Sequence, residues 1–441
     1  MANVELTPTL AVQIGLAAAK SSRAKTMLIA RDTRVSGLMF EDALVSGSLA
    51  SGANVVCMGV VPTPVLAFLA KELHADAGLM ITASHNPPQY NGIKIFDTDS
   101  MAYDEKSQYE IERIIENESY VFADWQNMGQ PQYADKSSLY VEEIKKNITL
   151  KEQWQVILDP GCGATYNLAP TIFNGLRCKV TAINAQPDGF FPARSSEPNA
   201  ESLKPLADIV KELGQDMGAA YDGDGDRVAF IDEKGSFVDF DRALAAYAAY
   251  VTRKRGGGVA VTNVEASMCF DKMVETEGGK VVRTKVGDIY VSKAMKTHKG
   301  IFGGEPCGAW IHPEFHLCPD GILSSILLLK ALEKEDKTLS EFVSKVPEYE
   351  ILRRNIACKN EMKYRIVKDT GTRLKRFFPE YDFSVVDGVR LALENAWVLI
   401  RASGTEPLVR LTVEAKTMKT AKEIMNVSAR LVRESVEGKQ G

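Results

Sequence analysis

Short apolar runs alternate with longer stretches of helical periodicity along most of this chain, and that alternation limits the folds open to it. Residues 26–30, 55–60, 79–82, 156–158, 259–262 and 300–302 read as buried strands. Between them, 39–51, 203–213 and 241–252 read as helices. Strand–helix alternation of this kind predicts α/β domains with largely parallel sheets. At 441 residues the chain is too long for one hydrophobic core. Seams are expected at the polar stretch 145–152, at the basic and glycine-rich 253–258, and near 348–359. The chain then divides into 1–148, 149–254, 255–352 and 353–441. The first three are α/β domains with mixed, largely parallel sheets, and the last is a smaller C-terminal α+β domain ending in an amphipathic helix over 419–436. The three larger units have the proportions of duplications, but residue-level similarity among them is too weak to establish it.

Hydrophobic residues make up 45% of the chain and charged residues 25%, which is ordinary for a globular protein. The formal net charge is −5 and no long basic stretch is present, which argues against non-specific nucleic-acid binding. A small anionic ligand would need local basic residues instead. The seven cysteines are scattered and form no CxxC pair, so free thiols in a reducing compartment are expected. Neither a charged-then-apolar leader nor an apolar run of ~20 residues is seen. A cytoplasmic location with no membrane partner is the expectation.

Four loops carry residues suited to chemistry. The first, Thr82-Ala83-Ser84-His85-Asn86-Pro87-Pro88, follows an apolar strand, and the carboxyl end of a strand is where α/β folds place ligands. Ser84 is a candidate nucleophile there, with a plain Ser-His turn as the rival reading. The second is Asp222-Gly223-Asp224-Gly225-Asp226-Arg227. Its glycines let the backbone fold tightly, and clustered carboxylates repel one another unless a hard cation sits among them. An EF-hand fails because 228–231 is an apolar strand where the later ligands should be. The arrangement suits Mg²⁺ bound to a phosphate. The third, Gly303-Gly304-Glu305-Pro306-Cys307-Gly308, offers a glutamate able to accept hydrogen bonds from hydroxyls. The fourth, Arg401-Ala402-Ser403-Gly404-Thr405-Glu406-Pro407 with Arg410 beyond, has what a phosphate dianion needs, without the Walker pattern of an ATP site.

In this order and spacing the four loops resemble those of the α-D-phosphohexomutase family, which includes phosphoglucomutase, phosphomannomutase and phosphoglucosamine mutase. The resemblance runs over nearly the whole chain, through Arg31-Asp32-Thr33-Arg34, Asn91-Gly92-Ile93-Lys94 and Thr284-Lys285-Val286-Gly287-Asp288. It implies four domains around a central cleft, each contributing one loop. It implies an isomerase that moves a phosphoryl group between the 1- and 6-positions of a hexose through a 1,6-bisphosphate that turns around. Ser84 would be the phosphorylated serine, and Asp222, Asp224 and Asp226 the Mg²⁺ ligands, with the Ser84 phosphate completing the site. Arg227 would hold that phosphate, flanked by His85 and Lys94. Glu305 would grip sugar hydroxyls, with Lys285 and Cys307 also on the substrate. Arg401, Ser403, Gly404 and Thr405, with Arg410, would clamp the phosphate that is not reacting. The implied partners are hexose phosphate and hexose 1,6-bisphosphate, with the chain a monomer or homodimer.

Three departures from the family pattern stand out. Family members usually begin with a segment containing glycine, serine and arginine, whereas this chain starts at Met1-Ala2-Asn3-Val4-Glu5-Leu6-Thr7-Pro8, so a first strand and an active-site arginine are expected to be missing. The sugar loop usually reads Glu-x-Ser-Gly-His and here reads Glu305-Pro306-Cys307-Gly308-Ala309, with the nearest histidine displaced to His312. A core or surface histidine is the expected reading of His312. The altered loop is similar to sequences in archaeal phosphoglucosamine mutases, which makes glucosamine phosphate the expected substrate ahead of mannose or glucose phosphate. A sugar-phosphate-binding protein that has lost catalysis is the rival class, and the intact Ser84, His85, Lys94 and three aspartates count against it. A phosphatase using the aspartate loop ranks last, because the Asp-x-Asp-x-Thr pattern is absent.

Overall fold

A computed structural model describes residues 1–378, 382–404 and 406–438. The chain forms two compact units, one of Met1–Phe240 with Cys307–Ser344, the other of Asp241–Pro306 with Lys345–Gly441.

The first unit contains two five-stranded sheets. One is built from β1 (Thr26–Arg31), β2 (Asn54–Val60), β3 (Ala77–Ile81), β4 (Ile93–Phe96) and β5 (Pro131–Tyr133), in the order β4-β3-β1-β2-β5. The other comprises β6 (Gln155–Asp159), β7 (Lys179–Ala182), β8 (Met217–Tyr221), β9 (Val228–Ile231) and β10 (Phe237–Val238), in the order β10-β9-β8-β6-β7. In both, the inner strands are parallel, while β4 and β9 run back antiparallel beside β3 and β8. Helices cover the sheets because strands such as β3 and β8 are buried at every position. The helix Pro8–Ser22 starts where Thr7 Oγ1 accepts the amide of Leu10 and Pro8 takes up the first turn, and it ends at Arg23 in the left-handed region. It crosses Gly37–Ala50 so closely that a Cβ on Gly15 would lie 2.5 Å from the Leu44 carbonyl oxygen, and one on Gly47 2.1 Å from that of Val12.

The second unit opens with the helix Phe240–Arg255, all but its first residue, followed by the parallel strands β11 (Gly258–Asn263), β12 (Gly279–Thr284) and β13 (Phe302–Glu305), ordered β12-β11-β13. That order repeats β2-β1-β3 and β7-β6-β8. The chain then re-enters the first unit at β14 (Ala309–Ile311). The last sheet is antiparallel: β15 (Glu350–Ala357), β16 (Phe383–Ser384), β17 (Val389–Leu393), β18 (Ala396–Ala402) and β19 (Leu408–Ala415), in the order β15-β19-β18-β17-β16. Helices Lys363–Phe377 and Met418–Val436 pack Ile366, Leu374, Ile424 and Leu431 onto it. A buried carboxylate joins this sheet to the parallel one, as Glu414 Oε2 accepts Trp397 Nε1 at 2.5 Å and the amide of Met268 at 2.8 Å.

The three α/β sheets and the antiparallel C-terminal sheet agree with the expected fold class. One detail differs from the expectation. Of the run 300–302 only Phe302 is strand, because Lys299 adopts the left-handed conformation and Gly300 N donates to Met295 O, closing the preceding helix. The third seam, 348–359, holds strand β15, which pairs with β19 along its whole length. Its polar composition is that of an exposed edge strand. All seven cysteines are unbridged. Among the described residues no helix is long and apolar enough to cross a membrane.

Candidate active site

The serine loop and the aspartate loop occupy equivalent places, each between a buried parallel strand and the antiparallel strand that follows it, β3–β4 and β8–β9. The serine loop is shaped from below. Thr82 Oγ1 donates to Asp32 Oδ2 at 2.7 Å and accepts the amide of Ser84 at 2.8 Å. Ser84 then takes φ +48°, a conformation costing on the order of 1–3 kcal/mol for a residue with a Cβ. The Arg34 guanidinium holds it there. It donates to the carbonyls of Ser84 (2.8 Å), Asn86 (2.7 Å), Pro87 (2.7 Å) and Tyr90 (2.9 Å), and to Asp32 Oδ2 (3.0 Å). Ser196, also buried, donates from Oγ to the carbonyls of His85 (2.7 Å) and Asn86 (3.0 Å).

Backbone-to-backbone packing brings the two loops together, and a Cβ on Gly223 would meet the Ser84 carbonyl oxygen at 2.6 Å. Ser84 Oγ donates to Asp222 Oδ2 at 2.7 Å, and His85 Nδ1 lies 3.4 Å from the same hydroxyl. Asp222 Oδ1 accepts the amides of Gly225 and Arg227, both at 3.1 Å. Lys94 Nζ bridges Asp224 (3.0 Å) and Asp226 (2.7 Å), and Thr63 Oγ1 donates to Asp224 at 2.5 Å. Arg227 Nε lies 3.9 Å from Asp226.

One oxygen from each of Asp222, Asp224 and Asp226 falls within 4.8 Å of the others, and all three residues are buried. Burial, and then the charges of Asp226 and Asp224, push the Asp222 carboxyl well above its usual range. Asp224 goes the other way: burial opposes it, yet the Lys94 charge and the Thr63 hydroxyl pull it down to about 2. Burial, then the neighbouring Arg227 charge, lowers the pKa of His85 below the usual histidine value. Asp224 Oδ1 and Asp226 Oδ1 are buried without a hydrogen-bond partner. Three oxygen donors, two with unused buried lone pairs, in a cluster whose charges repel, fit a hard divalent cation.

The second unit holds most of the other expected residues. Glu305, at the end of β13, accepts Asn263 Nδ2 (2.7 Å) and the amide of Gly287 (2.8 Å) on one carboxylate oxygen. Lys285 Nζ stands 5.2 Å over the Tyr290 ring. Arg401 and Arg410 are cross-strand partners on β18 and β19. Arg410 pairs with Glu406 at 2.9 Å. Ser403 is buried; its Oγ accepts the amide of Glu406 (3.2 Å) and its carbonyl accepts the buried Lys363 Nζ (2.6 Å). Gly404 is exposed with open space at its Cβ position, and Thr405 lies outside the described residues. Cys307 belongs to the first unit, in the link between β13 and β14.

Sequence reasoning assigned no role to Arg34, Ser196, Thr63, Lys363 or to Arg401's partners, Glu265 and Asp387. Of these only Arg34 had a visible signal, in Arg31-Asp32-Thr33-Arg34 at the end of β1. The displaced histidine is a core residue: His312 Nε2 lies 3.0 Å from Ser324 Oγ, and burial pushes its ring down to about 3 from 6.5. The unfolded chain therefore binds a proton between about pH 3 and 6.5 that the folded chain does not. The stability this histidine allows above pH 6.5 is lost as the pH falls through that window. At pH 5 the wild type is expected to have lost about 2 kcal/mol more than His312→Gln, at ~1.4 kcal/mol per pH unit. Denaturant titrations of both proteins at pH 7 and pH 5 check this, and parallel losses would contradict it.

Comparison with known proteins places these loops in context. Four family models match in succession: phosphoglucomutase/phosphomannomutase alpha/beta/alpha domain I over residues 1–121, domain II over 138–235, domain III over 239–349, and the C-terminal domain over 355–431. The chain is 42% identical over 435 residues to a probable phosphoglucosamine mutase of Pyrococcus abyssi, covering 99% of this chain and 96% of that one. It is 41% identical over 440 residues to a phosphoglucosamine mutase of Methanocaldococcus jannaschii, covering 98% and 96%. Among solved structures, a phosphoglucomutase/phosphomannomutase family protein of Burkholderia thailandensis superposes with a TM-score of 0.88 at 25% identity, covering 98% of this chain and 94% of that one.

Proposed function

Because the chain belongs to the phosphoglucomutase/phosphomannomutase family, and so is an isomerase acting on hexose phosphates, we propose that it interconverts glucosamine 1-phosphate and glucosamine 6-phosphate through a phosphoserine at Ser84 and a 1,6-bisphosphate. The observation that carries the reading is the Ser84 hydroxyl bonded to Asp222 beside two more buried aspartates. The phosphorylated Ser84 gives its phosphoryl group to the free hydroxyl of the bound sugar phosphate. The bond from phosphorus to Oγ breaks as that to the sugar oxygen forms, and the hydroxyl proton leaves to a base. The His85 ring, with Nδ1 3.4 Å from Oγ, is a candidate to take it. After the bisphosphate turns around, its other phosphoryl group returns to Ser84. Such transfer depends mainly on positioning and charge neutralisation, which Lys94 and Arg227 are placed to supply from the protein.

Asp222, Asp224 and Asp226 would hold Mg²⁺, which supplies neutralisation of the charge on the transferring group. Glu305 and Lys285 serve the sugar, with Cys307 as the loop's remaining side chain. Arg401, Ser403, Gly404, Thr405 and Arg410 serve the phosphate at the end that is not reacting. The names of the first relatives support glucosamine over mannose or glucose. Unbridged thiols support a cytoplasmic enzyme. We further assign domain limits at 148, 254 and 352, and a monomer or homodimer.

Incubation with labelled hexose 1,6-bisphosphate tests the mechanism: label should appear on Ser84, and an unlabelled protein would leave only a sugar-phosphate binder. Conversion assays across glucosamine, mannose and glucose phosphates test the substrate, with faster turnover of either neutral sugar overturning it. The cation has its own test in Asp222→Asn. Relief of repulsion should make this variant melt higher than wild type in EDTA, while added Mg²⁺ should stabilise it less than it does wild type. An equal gain from Mg²⁺ in both proteins would remove Asp222 from the metal site.

A further inference from the structure

We propose that Glu265 holds the substrate phosphate's place on Arg401 and must be displaced when substrate binds, an inference that rests on reading the 401–405 loop as the phosphate clamp. Arg401 Nη2 lies 2.5 Å from Glu265 Oε1, and Nη1 lies 3.6 Å from Asp387 Oδ2. The guanidinium is not saturated, since its Nε is buried without a hydrogen-bond partner. A carboxylate and a phosphate ask for the same forked donors, so a dianion arriving here competes with a partner already in place.

The two carboxylates are not equally free to leave. Asp387 also accepts the amide of Val286 at 3.2 Å, which fixes it to the loop that carries Lys285. Glu265 is the more exposed, with a third of its side chain open to water against about a quarter for Asp387, so it is rehydrated at little cost when it lets go. Its backbone amide donates to Asn263 Oδ1 at 2.8 Å, and Asn263 in turn donates to Glu305. Glu265 therefore stands on the turn that also sets the sugar-side glutamate.

A displaceable carboxylate suits a reaction whose intermediate has to release one phosphate from the clamp and present the other. Too strong a clamp would hold the bisphosphate in one orientation. Glu265 lowers the affinity of Arg401 for phosphate by competing for it and by repelling the incoming dianion. It acts as a positioning residue for Arg401 and makes no contact with the reacting atoms.

The test compares Glu265→Gln, Arg401→Ala and the double variant in the full-length chain. Both the KM for glucosamine 1-phosphate and the inhibition constant of inorganic phosphate are read. Glu265→Gln should lower both about ten-fold, the size of one charged hydrogen bond, and kcat should fall as release of the clamped phosphate slows. Arg401→Ala should raise both, and adding Glu265→Gln to it should change neither further. A rise in both constants on Glu265→Gln would mean the carboxylate orients the arginine for substrate, and would overturn the proposal while leaving the clamp intact. Constants untouched by Arg401→Ala would instead overturn the clamp reading, and the proposal with it. Inorganic phosphate provides a readout of the site that does not depend on turnover.

Discussion

Ser84→Ala is expected to lose at least ~10³-fold in turnover, because under the proposed mechanism the substitution removes the oxygen that would carry the phosphoryl group between the two halves of the reaction. The loss should appear in kcat more than in KM, since Glu305 and Arg401, proposed to hold the sugar and its distal phosphate, belong to the second unit. The fold should survive. Alanine meets the same left-handed backbone cost as serine at φ +48°, and Arg34 grips the carbonyl of residue 84, which any side chain leaves in place. Asp222 loses the hydroxyl that donates to it and is left with a buried acceptor unpaired, so stability should fall by about 1–3 kcal/mol. Steady-state kinetics together with intact mass after incubation with bisphosphate give the answer. Turnover like that of wild type, or a phosphate retained by the alanine protein, would dismiss Ser84 as the carrier.

Arg34→Met should destabilise the protein by about 3–5 kcal/mol and abolish labelling of Ser84 by bisphosphate. The guanidinium is fully buried and spends its donors on one carboxylate and four carbonyls of the serine loop. Methionine leaves those carbonyls without a donor and Asp32 without its cation, in a place that water does not reach. Arg34→Lys should not rescue, because three donors on a single nitrogen cannot span carbonyls fixed by a planar fork. Thermal melts and bisphosphate labelling of both variants check this. A lysine variant that melts and labels like wild type would show that charge alone, without the fork, keeps Ser84 in position.

The expectations that held concern residues whose chemistry lies within a few positions of one another. Asp222, Asp224 and Asp226 are separated only by glycines, so their convergence is a property of the local backbone. Ser84 at the end of an apolar strand follows from the general placement of loops in α/β folds, and the buried β3 was visible as an apolar run. What the sequence concealed depends on contacts between distant segments. Arg34 reaches carbonyls fifty or more positions away, and backbone carbonyls have no residue identity to read. The partners of Arg401, Glu265 and Asp387, are single acidic residues in unrelated turns. Glycine 300 was misread because a helix cap and a strand start can carry the same apolar letters. The 348–359 stretch holds a strand that its polar letters did not show, because an exposed edge strand has the composition of a linker.

The close helix crossing at Gly15 and Gly47 bears on how this protein tolerates heat. Glycine within a helix is usually a cheap target for stabilisation, since alanine removes freedom from the unfolded chain and gains about 0.5–1 kcal/mol. Here the two added methyl groups would come within 2.5 Å and 2.1 Å of carbonyl oxygens on the opposing helix, so the helices would have to separate before either alanine fits. The entropy these glycines retain in the unfolded state is thus tied to the spacing of the first domain's helices. A more heat-resistant version of this chain has to find its gains elsewhere, in loops and on the surface, while this crossing stays glycine.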